Sequence, residues 1–121
     1  MMGREHISNL ALVDGAELVA FSDPEPSSLV QSAAHAQSHG FTPTSYDSTR
    51  AMLVEAKLDA VIIAAPNHTH FAIMQEVMQY PVAVLLEKPM CTTVADAQVL
   101  HAQALNHPQM IWVGMEYRYM P

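Results

Sequence analysis

The chain has 121 residues, apolar residues make up 50% of it and charged residues 14%, and its formal net charge is -7. That length predicts one domain at most, and a chain this apolar and this poor in charge is not intrinsically disordered; it favours strands buried on both faces. Basic residues number 5 against 12 acidic ones, with no basic run, so the stripe that nucleic acid requires is missing and an anionic membrane is equally disfavoured. In chain order, a helix is predicted over Gly3–Val13, with Ile7, Leu10 and Ala11 on one face. Leu18–Phe21 reads as a buried strand that ends at Ser22-Asp23-Pro24. Pro26 suits the first turn of a helix that runs to His39, and Gly40 is a natural left-handed stop. Phe41–Tyr46 holds a short strand at most, and Asp47 or Ser48 caps a helix that carries Met52, Leu53 and Ala56. Asp59–Ala65 is the clearest strand, continuous and β-branched as central parallel strands are. Pro66-Asn67-His68-Thr69 breaks it and a helix follows to Gln79. Val82–Leu86 is another buried strand, Thr92 or Thr93 caps a helix through Leu105, and Ile111–Met115 is the last strand.

Strands alternating with helices predict an α/β fold: a doubly wound parallel sheet covered on both faces. Such sheets bind ligands beyond the carboxyl ends of their strands, so the residues just after each strand carry the functional reading. Asp23 has two readings of equal standing. It is a carboxylate placed to accept from both ribose hydroxyls of an adenine dinucleotide, which favours NAD over NADP, or it opens an Asp-Pro turn. Gly3 lies 20 positions upstream, the spacing of the last glycine of a dinucleotide fingerprint, although a flexible start residue reads the same way. His68 and His70 lack a nearby carboxylate or third histidine, which argues against a metal there. His35 and His39, at i, i+4, read as an exposed helix face rather than a metal pair. Glu87-Lys88-Pro89 sets two of the scarce charges at the end of a buried strand. It is either an ion pair at a strand edge or a lysine poised to donate to a substrate oxygen. Arg118, after the last strand, suits a phosphate or carboxylate, or is a surface arginine. Cys91 is the only cysteine, so no internal disulfide or thiolate zinc cluster is possible. It reads as a small packing residue in a reducing compartment. No signal peptide is recognisable at Met1–His6 and no apolar run is long enough to cross a bilayer; the expected location is cytoplasmic.

Four segments in order carry a resemblance. They are Ala20-Phe21-Ser22-Asp23-Pro24, Asp59-Ala60-Val61-Ile62-Ile63-Ala64-Ala65-Pro66-Asn67-His68-Thr69-His70, Leu86-Glu87-Lys88-Pro89-Met90 and Glu116-Tyr117-Arg118-Tyr119-Met120-Pro121. Over essentially its whole length the chain resembles the Gfo/Idh/MocA family of NAD(P)-dependent oxidoreductases. The resemblance implies a Rossmann-type domain with NAD (NADP less favoured) across its strand ends, and hydride transfer to or from a hydroxyl- or carbonyl-bearing carbon of a sugar- or cyclitol-like substrate. It implies that Asp23 holds the adenosine ribose, with Ser22 beside it in the cofactor-contacting set. Pro66, Asn67 and His70 then line the nicotinamide ribose region, and Glu87 and Arg118 also contact the cofactor. Lys88 stands at the substrate as the catalytic residue.

The chain departs from the family pattern at both ends. The first strand and most of the glycine-rich turn would precede Met1, and the second, substrate-binding domain would follow Pro121. Residues 1–121 are therefore expected to be a partial NAD(P)-binding Rossmann domain, lacking its first strand and its C-terminal substrate domain, and inactive in hydride transfer alone. A non-catalytic nucleotide-binding or partner-interaction module is the alternative, with self-association through the strand edges left by a missing strand.

Overall fold

The computed structural model describes residues 2–120. The chain forms two compact units, Met1–Leu58 and Asp59–Pro121.

The first unit contains α1 (Met2–Leu10), β1 (Ala20–Ser22), α2 (Pro26–Ser38), β2 (Thr44–Tyr46) and α3 (Thr49–Glu55). β1 pairs with β2 in parallel, Ala20 opposite Thr44 and Ser22 opposite Tyr46. The ladder continues at both ends, through Thr44 N–H to the Val19 carbonyl and Asp23 N–H to the Tyr46 carbonyl. α2 begins as its sequence dictates. Pro26 occupies the first turn, where its missing N–H costs nothing, and the Glu25 side chain accepts from Ser27 N–H. It ends at His39, and Gly40 follows at φ +85°, a left-handed conformation that a side chain would strain. Ser48 caps α3 by accepting from Ala51 N–H at 3.2 Å. Ile7, Ala36, Met52 and Leu53 are the buried apolar residues of this unit.

Three expectations change here. α1 stops at Leu10 rather than Val13, because Leu12 and Val13 carry no buried face; Leu12 is 84% exposed. β1 is half-buried rather than buried, since β2 is its one strand neighbour. His35 and His39 do not line an exposed helix face: both are half-buried. The His35 Nε2 lies 2.9 Å from Ser8 Oγ and 3.0 Å from the Arg4 carbonyl oxygen, which ties α2 to α1.

The second unit contains β3 (Ala60–Ile63), a 3-10 turn (Asn67–Thr69), α4 (His70–Val77), β4 (Ala83–Glu87), α5 (Val94–Ala104), β5 (Ile111–Gly114) and a second 3-10 turn (Glu116–Tyr119). The three strands are parallel in the order β3-β4-β5. The middle strand is therefore β4, not the Asp59–Ala65 segment expected to be central; β3 pairs on one side only. An unbroken apolar run reports that helices cover both faces of a strand, not where the strand sits in its sheet. β4 contributes Val84 at 1% and Leu86 at 0% exposure, and Met74, Val77 and Leu100 on the helices of this unit are buried as well. His107 fastens the approach to β5, its Nε2 2.8 Å from the Val82 carbonyl oxygen. The described residues thus hold a parallel pair of strands in one unit and a parallel trio in the other. No helix among the described residues is long and apolar enough to cross a membrane.

Candidate cofactor-binding residues

In the first unit, Ser22 ends β1 and Asp23 follows it, both half-buried. The ladder bond from Asp23 N–H to Tyr46 fixes the backbone there. Asp23 Oδ1 accepts from Glu25 N–H at 2.9 Å. The turn reading of Asp23 is thus realised, and it leaves the ribose reading open: a carboxylate offers about four acceptor positions and the turn takes one. Gly3 lies in the first turn of α1, where a Cβ would meet nothing within 4 Å, so room remains at that helix end.

In the second unit, the exits of all three strands carry polar groups. Beyond β3, Pro66 and Asn67 are exposed and open the 3-10 turn. The Pro66 carbonyl accepts from Thr69 N–H at 2.8 Å and from Thr69 Oγ1 at 2.7 Å, which closes this turn tightly. The next residue, His70, is wholly buried, and its ring nitrogens face two carbonyl oxygens: Pro89 O, 2.8 Å from Nδ1, and Ala65 O, 2.9 Å from Nε2. The ring joins the exit of β3 to the segment after β4 and presents no open edge. The structure therefore places His70 as a brace rather than in the surface-lining position expected of a cofactor contact.

At the exit of β4, Glu87 is a buried carboxylate, at 8% exposure. Its Oε2 accepts from Lys88 N–H at 3.3 Å. Its Oε1 lies against Gly114, where an added Cβ would stand 3.7 Å away; parallel register sets Glu87 opposite Gly114. Lys88 points outward, and its Nζ lies 3.7 Å from Glu116 Oε1, both side chains 47% exposed. The Lys88–Pro89 peptide is cis. Arg118 sits exposed in the turn after β5, its N–H donating to the Met115 carbonyl at 3.0 Å. The structure thus brings together His70 with the segment after Lys88, and Lys88 with the turn that carries Arg118. Ser22 and Asp23 belong to the other unit. Sequence reasoning assigned no role to Glu116. Its meeting with Lys88 depends on the β4–β5 register, for which no local signal exists. Among the described residues no group of three or more metal-ligating side chains stands together.

These features define a class, an α/β domain of the doubly wound dinucleotide-binding type with its polar residues at the carboxyl ends of parallel strands. The profile of the Gfo/Idh/MocA oxidoreductase family, NAD-binding Rossmann fold, matches residues 1–115, and the chain belongs to that family. It is 29% identical over 123 residues to inositol 2-dehydrogenase of Salmonella typhimurium, covering 98% of this chain and 35% of that protein. It is 30% identical over 118 residues to D-apiose dehydrogenase of Paraburkholderia graminis, covering 98% of this chain and 30% of that protein. Among solved structures, myo-inositol dehydrogenase from Lactobacillus casei, in complex with NAD(H) and myo-inositol, matches with a TM-score of 0.88 and 26% identity. The match covers 99% of this chain and 35% of that one. The chain thus spans about a third of the length of the relatives it matches.

Proposed function

We propose that this chain is the NAD-binding part of an oxidoreductase that moves a hydride between the nicotinamide and a hydroxyl- or carbonyl-bearing carbon of a sugar- or cyclitol-like substrate. The observation that carries the reading is the buried Glu87 carboxylate beside the outward-pointing Lys88 at the end of the middle strand, in a chain whose family is NAD-binding. The carboxylate is 8% exposed, and its Oε2 accepts from Lys88 N–H, which offsets part of the cost of burying it. Its position after β4 is where a doubly wound sheet receives its ligand.

The residues present fit the cofactor. Asp23, with acceptor positions left after its turn bond, takes the adenosine ribose hydroxyls; its charge disfavours a 2′-phosphate and so selects NAD over NADP. Ser22 supports it from the strand end. Pro66, Asn67 and Glu87 take the nicotinamide ribose end, and Arg118 supplies a cation for phosphate. Bound NAD supplies the hydride acceptor. Lys88 supplies the proton relay or orients the reacting oxygen, and Glu116 restrains its ammonium. The substrate class follows the relatives named for inositol and apiose. Free Cys91 is compatible with a reducing cytoplasm. Titration of the folded chain with NADH, with NADPH as comparison, tests the reading. Saturable binding that prefers NADH is expected, and equal or absent binding of both would overturn it.

A further inference from the structure

The ring of His70 is completely buried, and each of its nitrogens stands at hydrogen-bond distance from a backbone carbonyl: Nδ1 from Pro89 at 2.8 Å, Nε2 from Ala65 at 2.9 Å. A carbonyl oxygen only accepts. A neutral imidazole has one N–H and one lone pair, so either neutral tautomer sets a lone pair against a carbonyl oxygen. That contact would be repulsive, and the fully covered ring gives water no place to relieve it. Only a ring protonated on both nitrogens satisfies both contacts. We propose that the fold holds His70 as an imidazolium that staples the exit of β3 to the segment carrying Lys88. This proton positions Lys88–Met90. The functional weight of that positioning rests on the reading of Lys88 and Glu87 as the nicotinamide end of the site.

Two effects oppose each other at His70. Burial disfavours the charged ring. Against this, both of its hydrogen bonds are charge-assisted, each about twice as strong as a neutral one, and a neutral ring would keep one bond and gain one repulsion. Glu87 adds a buried negative charge two residues before the carbonyl that Nδ1 holds. The other titratable groups on the elements packed around His70 are Glu76 on its own helix and His68 in the turn before it. Asp59 stands ahead of β3, Lys88 and Cys91 follow β4, and Asp96 and His101 lie on α5. Lys88, the cation nearest in sequence to the bridge, is 47% exposed and aims at Glu116, so solvent screens its charge.

The test is nitrogen NMR on the whole chain labelled at its histidine rings, of which there are 7. At neutral pH one histidine is expected to show protons on both nitrogens, each exchanging slowly with water, and this signal disappears in His70→Gln. If that variant does not fold, six single substitutions at His6, His35, His39, His68, His101 and His107 assign the signal by elimination. On raising the pH, the amide signals of Lys88, Met90 and Cys91 should move with the same midpoint as the ring, which a merely space-filling histidine would not cause. A buried ring with one bare nitrogen at neutral pH would overturn the inference, as would amides that ignore the ring's titration. Neither readout uses the cofactor, so a chain that shows the doubly protonated ring yet binds no NADH would refute the proposed function and leave the staple standing.

Discussion

Replacing Asp23 separates its two roles. Its Oδ1 accepts from Glu25 N–H at 2.9 Å just ahead of α2, and the proposed cofactor reading gives its remaining acceptor positions to the ribose. Asp23→Asn keeps an oxygen for the turn but loses the charge and replaces the second oxygen with an NH2 donor. Asp23→Ala loses both. The turn bond is neutral on its donor side and half-exposed, so its loss in the alanine variant should cost about 1 kcal/mol of stability, with the asparagine variant near the parent. Ribose hydroxyls that bond to a carboxylate contribute roughly 1.5–3 kcal/mol; either variant should therefore bind NADH about 10- to 150-fold more weakly. Preference over NADPH should shrink in both, because the repulsion of a 2′-phosphate goes with the charge. Fluorescence titration gives the affinities, and urea unfolding followed by circular dichroism gives the stabilities. An asparagine variant that binds NADH as tightly as the parent would reduce Asp23 to a turn former and refute the ribose assignment.

Three further outcomes check the packing and the charges. Leu86→Ala empties a side chain at 0% exposure in the middle strand, next to a hollow of about 180 Å3 that Leu86 already lines with Met74, Leu100 and Val113. Urea unfolding should show a loss of about 3–5 kcal/mol, and a loss below about 1.5 kcal/mol would contradict the packing described. Thr93→Ala removes the oxygen that accepts from Asp96 N–H at 3.1 Å. It should cost about 1 kcal/mol and speed hydrogen exchange at that amide; unchanged exchange would argue against the cap. Glu116→Gln breaks a pair that is half in water at 3.7 Å, so stability should change by less than about 1 kcal/mol, and a larger change would mean that the pair is more enclosed than its exposure shows.

Local chemistry made the helices and turns legible. Pro26, Gly40, Ser48 and Thr93 each bound an element through their own backbone or side-chain preference, and each stands where that preference places it. The parallel strands were legible from apolar runs, but their order was not. β3 carries the most continuous run, yet β4 is the middle strand of the described trio, because strand order is decided by pairings between segments some twenty residues apart. The candidate site divides the same way. Asp23 and the Glu87-Lys88-Pro89 segment could be picked out because charge is scarce and because they follow strands. Glu116 could not, since only the register of β4 with β5 brings it to Lys88. His70 was marked by the family resemblance and by no local signal of its own. One of the two carbonyls at its ring belongs to a residue 19 positions away.

The central claim is that these strand ends receive NAD. Amide shift mapping by NMR, with NADH added stepwise to the folded chain, tests it most directly. The account predicts saturable shifts at Ser22 and Asp23 in one unit and at Asn67, Glu87, Lys88 and Arg118 in the other, all with one affinity and all weaker with NADPH. A folded chain whose strand-end amides stay fixed while NADH is raised would contradict it.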